Sequence, residues 1–303
     1  DARFTEDALR ILRAVRFSAV LGFSIENNTK KAMRRNLDKL QNVSRERIGN
    51  ELYKTVTAPY AARALQMDEG AVIRYVCPEL DACYGCEQNN RYHYMGVFSH
   101  TMKALENAET CHRFPDSWAD GYVRMALLLH DIGKPATKTT DEDGHDHFYG
   151  HSHVSADMAL NVLKRYRYSN EFVDTVVGLI DAHDIVLTPT KATARRMLNK
   201  FGVEQLHRLL KLRECDNRAH TSLAFERFEI KTVPFETILQ QVLDEDSAFS
   251  IKDLTVNGHD IIKMGYKEGP EIGNILKALL DAVITDTCEN TKEALTEYIK
   301  NNC

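Results

Sequence analysis

The chain has 303 residues, of which 43% are hydrophobic, enough for two or three domains with buried cores. Its net charge is −5, and no run of about 18 apolar residues is present to cross a membrane. The seven irregularly spaced cysteines argue against a disulfide framework and favour reduced thiols in a cytoplasmic protein.

Positive charge is concentrated at the start of the chain. Residues 1–55 hold 12 Lys/Arg against 7 Asp/Glu, a balance of +5, which leaves −10 for the remainder. A basic end on an acidic protein favours a polyanionic partner held at that end. Basic helix faces that are merely solvated are the alternative.

The first predicted element is a helix over residues 3–23, RFTEDALRILRAVRFSAVLGF. On such a helix Asp7, Arg10 and Arg13 fall within an arc of about 120°, and the apolar residues lie on another side. An ordinary surface ion pair between residues three apart is one interpretation of this face.

A second interpretation of the Asp7–Arg10 pair is a template for a nucleobase. A carboxylate accepts from an exocyclic amino group, and a guanidinium donates to a ring nitrogen or carbonyl. Cytosine and adenine both present that edge, whereas uracil and guanine present the opposite order, a mismatch that discriminates by about 10⁴-fold. The pair therefore fits C and A.

Apolar residues recur at helical spacing along nearly the whole chain, so an all-α fold is predicted. The exception is residues 137–150, where Thr, Gly and Asp indicate a small hairpin. Breaks in the pattern divide the chain into three predicted domains. These are residues 1–85, 86–222 and 223–303.

The segment RMALLLHDIGKP carries a His130–Asp131 dyad at the end of an apolar helix. Gly133 and Pro135 are expected to stop that helix, which places the dyad on its last turn. Adjacent imidazole and carboxylate are good ligands for a divalent metal, although a cap or a surface ion pair is the commoner explanation of an isolated dyad.

Four further potential ligands lie on otherwise apolar helix flanks or ends, where burial is costly unless the group is paired or bound to a metal. They are His100, His151, His183 and Asp216. The ordered set H…HD…H…H…D over residues 92–222 resembles the HD superfamily of metal-dependent phosphohydrolases.

The resemblance implies specific roles for these residues, with Asp131 and Lys134 as the catalytic pair. One divalent ion would be held by His100, His130, Asp131 and Asp216. His151 and His183 would hold a second ion or bind the phosphate, and Lys134 would offer a cation to a phosphoryl oxygen. The choice among Mn, Ni, Mg, Fe and Zn stays open, as does a purely structural metal site.

The stretch RFTEDALRILRAVRFSAVLGFSIENNTKKAM, followed by VSRERIGNELYK, is similar to the neck of bacterial tRNA nucleotidyltransferases, the CCA-adding enzymes and their poly(A) polymerase relatives. Their EDxxR motif matches Glu6, Asp7 and Arg10. The resemblance implies that Asp7 and Arg10 select CTP or ATP, and that Arg13 and Arg16 support the helix and approach nucleotide phosphate.

The same resemblance implies the partners: the tRNA 3′ end, with CTP and ATP for the full-length parent, and neither DNA nor a membrane. RNA phosphates are expected to meet four basic side chains, Lys30, Lys31, Arg34 and Arg35. The parent's nucleotidyltransferase head, with its own Mg²⁺ ions, is expected to be missing from this chain. An RNA-binding module with a vestigial HD site and a free-standing HD nucleotidase are the two alternatives.

Overall fold

The structure is a computed structural model, and it describes residues 2–110, 121–245 and 248–302. Within these ranges it is built from α-helices, short 3₁₀ turns and one pair of two-residue strands, so the all-α prediction is confirmed. The helices are α1 (Ala2–Glu6), α2 (Leu9–Leu21), α3 (Asn27–Arg35), α4 (Arg45–Val56), α5 (Ala61–Leu65), α6 (Ala71–Val76), α7 (Glu79–Tyr84), α8 (Val97–Thr110), α9 (Gly121–Leu129), α10 (Lys134–Thr137), α11 (His151–Arg165), α12 (Asn170–Ala182), α13 (Lys191–Asn217), α14 (Ser222–Asp244), α15 (Gly258–Lys263), α16 (Pro270–Ile284) and α17 (Lys292–Asn302).

The chain divides into two compact units, and the first consists of residues 1–185 and 207–226. Its N-terminal part packs α2 against α4 and α5 through side chains such as Ile11, which is fully buried. Its central part packs α8, α9, α11 and α12 together. Helix α9 is apolar on nearly every side and is buried accordingly, which is the pattern of a helix at the centre of a domain.

The second unit consists of residues 186–206 and 227–303. Helices α15, α16 and α17 enclose a core that includes Leu279 and Ile299, both fully buried. Asn257 and Asp260 form a reciprocal cap that starts α15, and Pro270 starts α16. Pro234, interpreted from sequence as a break before the C-terminal helices, instead lies inside α14.

The predicted hairpin within residues 137–150 is present. Strands β1 (Thr139–Thr140) and β2 (Asp146–His147) pair antiparallel, with Thr140 opposite Asp146. Among the described residues, no helix combines the length and the hydrophobicity needed to cross a bilayer. The three functional domains proposed from sequence stay a prediction, because the two units describe compactness alone.

Candidate metal centre and nucleotide-binding helix

Helix α9 delivers the His130–Asp131 dyad to the interior of the first unit. The helix ends at Leu129, before the dyad and not after it as expected, so His130 and Asp131 lie in the turn that follows. Pro135 does not end a helix but begins the short helix α10, a position where proline costs no hydrogen bond. Gly133 is required by packing, because a Cβ there would lie 2.6 Å from the Ser155 backbone nitrogen.

The first group of ligands brings together side chains from three separate places in the chain. Potential ligand atoms of His100, His130 and Asp216 all lie within 4.8 Å of one another, and all three residues are buried. His100 Nε2 is 2.8 Å from Asp216 Oδ1, and His130 Nε2 is 3.4 Å from the same oxygen. The sequence prediction had placed these residues in one site, and the fold makes them neighbours.

The second group is formed by Asp131, His151 and His183, again within 4.8 Å of one another and buried. His151 Nε2 lies 3.4 Å from Asp131 Oδ1, while Asp131 Oδ2 lies 3.3 Å from His130 Nε2. The two oxygens of Asp131 therefore face the two groups separately. One carboxylate joins both sets of ligands.

Backbone carbonyls fix the tautomers of three of these histidines. The Nδ1 atoms of His130, His151 and His183 lie 2.8, 2.9 and 2.6 Å from carbonyl oxygens of residues three positions earlier. Since a carbonyl only accepts, each Nδ1 carries a proton and each Nε2 faces the interior, where the neutral ring presents a lone pair. This orientation is the one that metal-binding histidines adopt.

His130 Nε2 and both carboxylate oxygens of Asp131 are buried and make no hydrogen bond of normal geometry in the described structure, although Asp131 Oδ2 has the Lys134 ammonium at ion-pair distance. An orphaned buried polar atom is costly, and a carboxylate is more so. Imidazole nitrogens and carboxylate oxygens together suit divalent metals from Mg²⁺ to Zn²⁺. The donor set and its unsatisfied atoms therefore fit a bound metal, and no choice between metals follows from them.

The histidines of the site differ in pKa. Burial disfavours the charged form of His130, but Asp131 and Asp216 outweigh it and raise the pKa of His130 to about 10. Burial, together with His130 and His151, lowers the pKa of His183 to about 4. Although burial alone would raise the pKa of Asp131, its histidine neighbours and Lys134 hold that pKa well below its usual value.

Lys134 lies within the cluster rather than at its edge. Its Nζ is 2.8 Å from Asp131 Oδ2, donates to Gln88 Oε1 at 2.8 Å and lies 3.4 Å from His93 Nε2. The ammonium group is thus engaged by a hydrogen bond to Gln88, a contact with His93 and an ion pair with Asp131. A contact between Lys134 and a phosphoryl oxygen stays a prediction, and it requires one of these partners to be exchanged.

Two histidines that sequence analysis passed over also border the site. His93 and His220 meet edge to face with ring centroids 4.4 Å apart, and the ring centroids of His220 and His100 are 4.8 Å apart. His220 Nδ1 is 3.1 Å from the backbone oxygen of Asp216, four residues earlier. That four-residue spacing was a usable signal for His220, whereas the loop position of His93 offered none.

The N-terminal segment departs from the single helix predicted for residues 3–23. The helix is interrupted after Glu6, and α2 starts at Leu9, so Asp7 lies in the junction instead of on a helical face. At the break Asp7 Oδ1 accepts from the Leu9 backbone N–H at 3.0 Å, a local bond that competes with continuation of the helix.

The remaining residues of the EDxxR motif are tied to one another across this junction. Arg10 Nη1 lies 2.9 Å from Glu6 Oε2 and donates to the Arg3 carbonyl at 3.0 Å. Asp7 Oδ2 is 3.8 Å from Arg47. One oxygen of Asp7 therefore lies near the Arg47 guanidinium, and the other accepts from the Leu9 N–H. Arg10 is held by Glu6, the last residue of α1.

The other predicted nucleotide and RNA contacts occupy different environments. Arg16 is paired with Glu51 at 3.0 Å and is mostly buried, while Arg13 is exposed. Arg34 is paired with Asp68 at 2.8 Å. Lys31 and Arg35 are exposed and Lys30 is half-buried, all on α3. The structure thus assigns Arg16 and Arg34 internal partners that the sequence did not indicate.

Two models of known protein families match this chain. A family model described as "tRNA nucleotidyltransferase domain 2 putative" matches residues 145–299, about half of the sequence. The chain belongs to the tRNA nucleotidyltransferase family. A second family model, described as a probable RNA and SrmB-binding site of polymerase A, matches residues 22–84.

Individual relatives of this family member agree with that assignment. The chain is 32% identical over 91% of its length to the A-adding tRNA nucleotidyltransferase of Deinococcus radiodurans, and covers 64% of that protein. It is 32% identical over 91% of its length to the CC-adding tRNA nucleotidyltransferase of Thermus thermophilus, and covers 62% of it. The chain thus spans less than two thirds of these relatives.

The fold of this family member also has solved counterparts. A crystal structure of the Bacillus stearothermophilus CCA-adding enzyme in complex with CTP matches 100% of the chain and 65% of that protein, with a TM-score of 0.62 and 26% identity. The Thermotoga maritima CCA-adding enzyme complexed with tRNA matches with a TM-score of 0.50 and 17% identity, covering 98% of this chain and 62% of that one, which supports the fold alone.

Proposed function

We propose that this chain is part of an enzyme that adds nucleotides to the 3′ end of tRNA, with CTP and ATP as substrates. The observation that carries the proposal is the family match, joined by the similarity to relatives named for adding A and CC. The chain contributes base selection, RNA binding and a separate phosphohydrolase site. The transfer step, with its Mg²⁺ ions, belongs to a part of the enzyme outside these residues.

Transfer activity gives a direct test of this division. The chain is supplied with tRNA lacking its 3′ end, CTP, ATP and Mg²⁺, and extension of the RNA is followed on a sequencing gel. We expect no extension above a control without protein. Template-directed extension by this chain alone would contradict the division, because the transfer site would then lie within it.

Base selection is proposed to use Asp7 and Arg10, with Glu6 holding Arg10 in position. In this proposal Asp7 acts from the junction between two helices and not from the face of one continuous helix. Asp7 lies at the break between α1 and α2, where its cap to Leu9 orients the carboxylate. Equilibrium binding of the four nucleoside triphosphates tests this, since Asp7→Ala should lose the preference for CTP and ATP over UTP and GTP. An unchanged preference would remove Asp7 from base selection.

For the chain by itself we propose an HD-type phosphohydrolase that acts on a phosphoester such as a 2′,3′-cyclic or terminal phosphate. The residues that would hold divalent metal form the two groups around Asp131, namely His100, His130 and Asp216, and His151 and His183. A divalent ion lowers the pKa of bound water and polarises phosphoryl oxygens, so no protein nucleophile is needed.

The chain's own residues orient this chemistry. Carbonyls of Leu127, Phe148 and Ile180 hold the three imidazoles with Nε2 directed inward. Lys134 neutralises part of the charge of Asp131, and His93 and His220 border the cluster on one side. The side chains thus keep the donor atoms in place before any ion arrives, which reduces reorganisation on binding.

Hydrolysis of bis(p-nitrophenyl) phosphate and of 2′,3′-cyclic AMP, with Mn²⁺ and with EDTA, tests the proposal. We expect turnover that depends on the metal in the wild type and is lost in Asp131→Asn. Metal-bound protein without turnover would favour the alternative of an RNA-binding module with a vestigial site. A free-standing nucleotidase is disfavoured by the family match, because such an enzyme needs no EDxxR segment.

A further inference from the structure

A large groove lies in the first unit, and its lining includes none of the proposed metal ligands and none of the EDxxR residues. Its volume is about 950 Å³, within the range of small-molecule sites. It is bordered by the end of α3, the start of α4, helix α6 and the end of α11. Apolar side chains such as Leu40 and Ile48 form part of its lining.

Four arginines line this groove, and carboxylates fix three of them. Arg165 forms a two-pronged pair with Glu79. Arg34 is paired with Asp68 at 2.8 Å. Arg74 donates to Asp81 at 2.7 Å and lies 3.8 Å over the ring of Tyr84. Because each guanidinium has five N–H donors, a paired arginine still has donors for a further anion.

The fourth arginine, Arg45, differs from the other three. It is the first residue of α4, it is exposed, and in the described part of the chain it makes neither an ion pair nor a hydrogen bond. Its charge acts on Tyr166, another residue that lines the groove. The acidic residues of the lining are Glu69 and Asp81, and Asp81 is taken up by Arg74. Asp68 and Glu79, the partners of Arg34 and Arg165, balance two of the four arginines. Among the four, Arg45 is therefore the one whose side chain has no carboxylate partner in the described residues.

An aromatic surface completes the groove. Tyr75 lines it and is 41% exposed, which leaves its ring open to a stacking partner. Cations combined with an exposed aromatic ring are the combination that proteins use for unpaired nucleotides, with arginines on phosphates and an aromatic ring under a base. A duplex would keep its bases stacked internally and could not use Tyr75 in this way.

We propose that this groove binds a nucleotide segment of single-stranded RNA, with Arg45 on a phosphodiester and Tyr75 under a base. Arg34 and Arg165, held rigid by their carboxylate partners, supply additional donors to the phosphates. This inference deepens the proposed RNA-binding function and rests on it. It moves the principal phosphate contact from Lys30, Lys31 and Arg35 of α3 to the start of α4.

Fluorescence anisotropy with a labelled RNA tetranucleotide and the full 303-residue chain tests this assignment. Arg45→Gln should weaken binding about fivefold or more and flatten the salt dependence by about 0.7 in log–log slope, the loss of one single-strand phosphate contact. Tyr75→Leu should weaken binding at least fivefold while leaving the salt slope unchanged. Lys54→Gln removes an exposed charge on the same helix outside the groove and should have less than a twofold effect.

The outcomes separate the groove from the wider proposal. If the wild type binds RNA and both groove variants bind as tightly, the groove assignment is wrong and the RNA-binding function stands. If the wild type binds neither the tetranucleotide nor tRNA at low salt, the proposed RNA-binding function itself fails. AMP and inorganic phosphate are then added as competitors of the labelled tetranucleotide. If either one displaces the tetranucleotide at an equal concentration, the groove binds a mononucleotide or phosphate and the RNA assignment is wrong.

Discussion

His151 and His183 face each other with their Nε2 atoms 3.2 Å apart, and both Nδ1 protons are donated to backbone carbonyls. In neutral imidazoles of this tautomer, two lone pairs therefore meet without a proton between them. Burial also lowers the pKa of His183 to about 4, which opposes protonation as a remedy. A shared cation resolves the conflict.

This opposition predicts that His183→Leu behaves differently with and without metal. In EDTA we expect the free energy of unfolding to change by less than about 1 kcal/mol. The substitution loses the packing of a buried ring but also removes the unfavourable contact between the two Nε2 atoms, and these effects oppose each other. Saturating Mn²⁺ should raise the melting temperature of the wild type more than that of the variant, because only the intact site gains full ligand stabilisation. Thermal unfolding in both buffers measures this, and equal metal-induced shifts would place the ion elsewhere.

Gly133→Ala tests whether packing holds the dyad in place. The added Cβ would lie 2.6 Å from the Ser155 nitrogen and 2.8 Å from the His151 oxygen, and backbone atoms cannot move aside as a side chain can. We expect destabilisation of about 1–3 kcal/mol in urea unfolding, with weaker metal binding through the shift of His151. Gly85→Ala is the matched control, since its Cβ would meet nothing within 4 Å. Equal effects of the two substitutions would contradict the packing argument.

Arg213 is predicted to hold the end of α12. Its part-buried Nη1 donates to the carbonyl oxygens of His183 and Ile185, the former at 2.9 Å. Arg213→Met should leave both carbonyls without this donor and cost about 2–4 kcal/mol in the free energy of unfolding. Chemical denaturation checks the value, with the exposed Lys164→Met as the control. A cost below about 1 kcal/mol would show that the carbonyls find other donors.

Asp146 is predicted to make stability depend on acid pH. Although burial opposes it, hydrogen bonds from Lys138, Thr140 and the Asn89 backbone lower the pKa of Asp146 to about 2. Since the pKa is depressed in the folded state, this stabilisation is present above the unfolded-state pKa of about 4 and is lost as pH falls towards 2. Asp146→Asn should therefore be less stable than the wild type at pH 6, by about 1 kcal/mol, with the difference vanishing near pH 2. A difference independent of pH would show that the charge of Asp146 is not responsible.

The proximity of His100, His130, Asp131, His151, His183 and Asp216 could be predicted from sequence, since their order resembles that of the HD superfamily; their role as metal ligands stays a prediction. His220 was not part of the predicted ligand set, and its place beside the site depends on an edge-to-face ring contact with His93 from a distant part of the chain. Spacing alone also cannot show that the single carboxylate of Asp131 faces both groups of ligands.

The N-terminal helix shows a different limit of sequence reasoning. Periodicity predicted one helix, but the Asp7 side chain competes with the backbone for the Leu9 N–H and starts a second helix. Likewise, the exposed basic pattern of α3 gave no sign that Arg34 pairs with Asp68, which lies 34 residues further along. Hydrophobic periodicity does not show which side chains bond to the nearby backbone. It also does not show which distant residues the fold brings together as ion pairs.

The most direct test of the metal centre is the metal content of the purified chain beside that of His130→Ala. After incubation with Mn²⁺ and removal of free ions, inductively coupled plasma mass spectrometry gives the number of manganese ions per chain. Circular dichroism shows whether the variant is folded. The two ligand groups around Asp131 predict up to two ions per wild-type chain and a loss of at least one in the variant. Equal metal content in the two folded proteins would contradict the assignment of His130 and the site built around it.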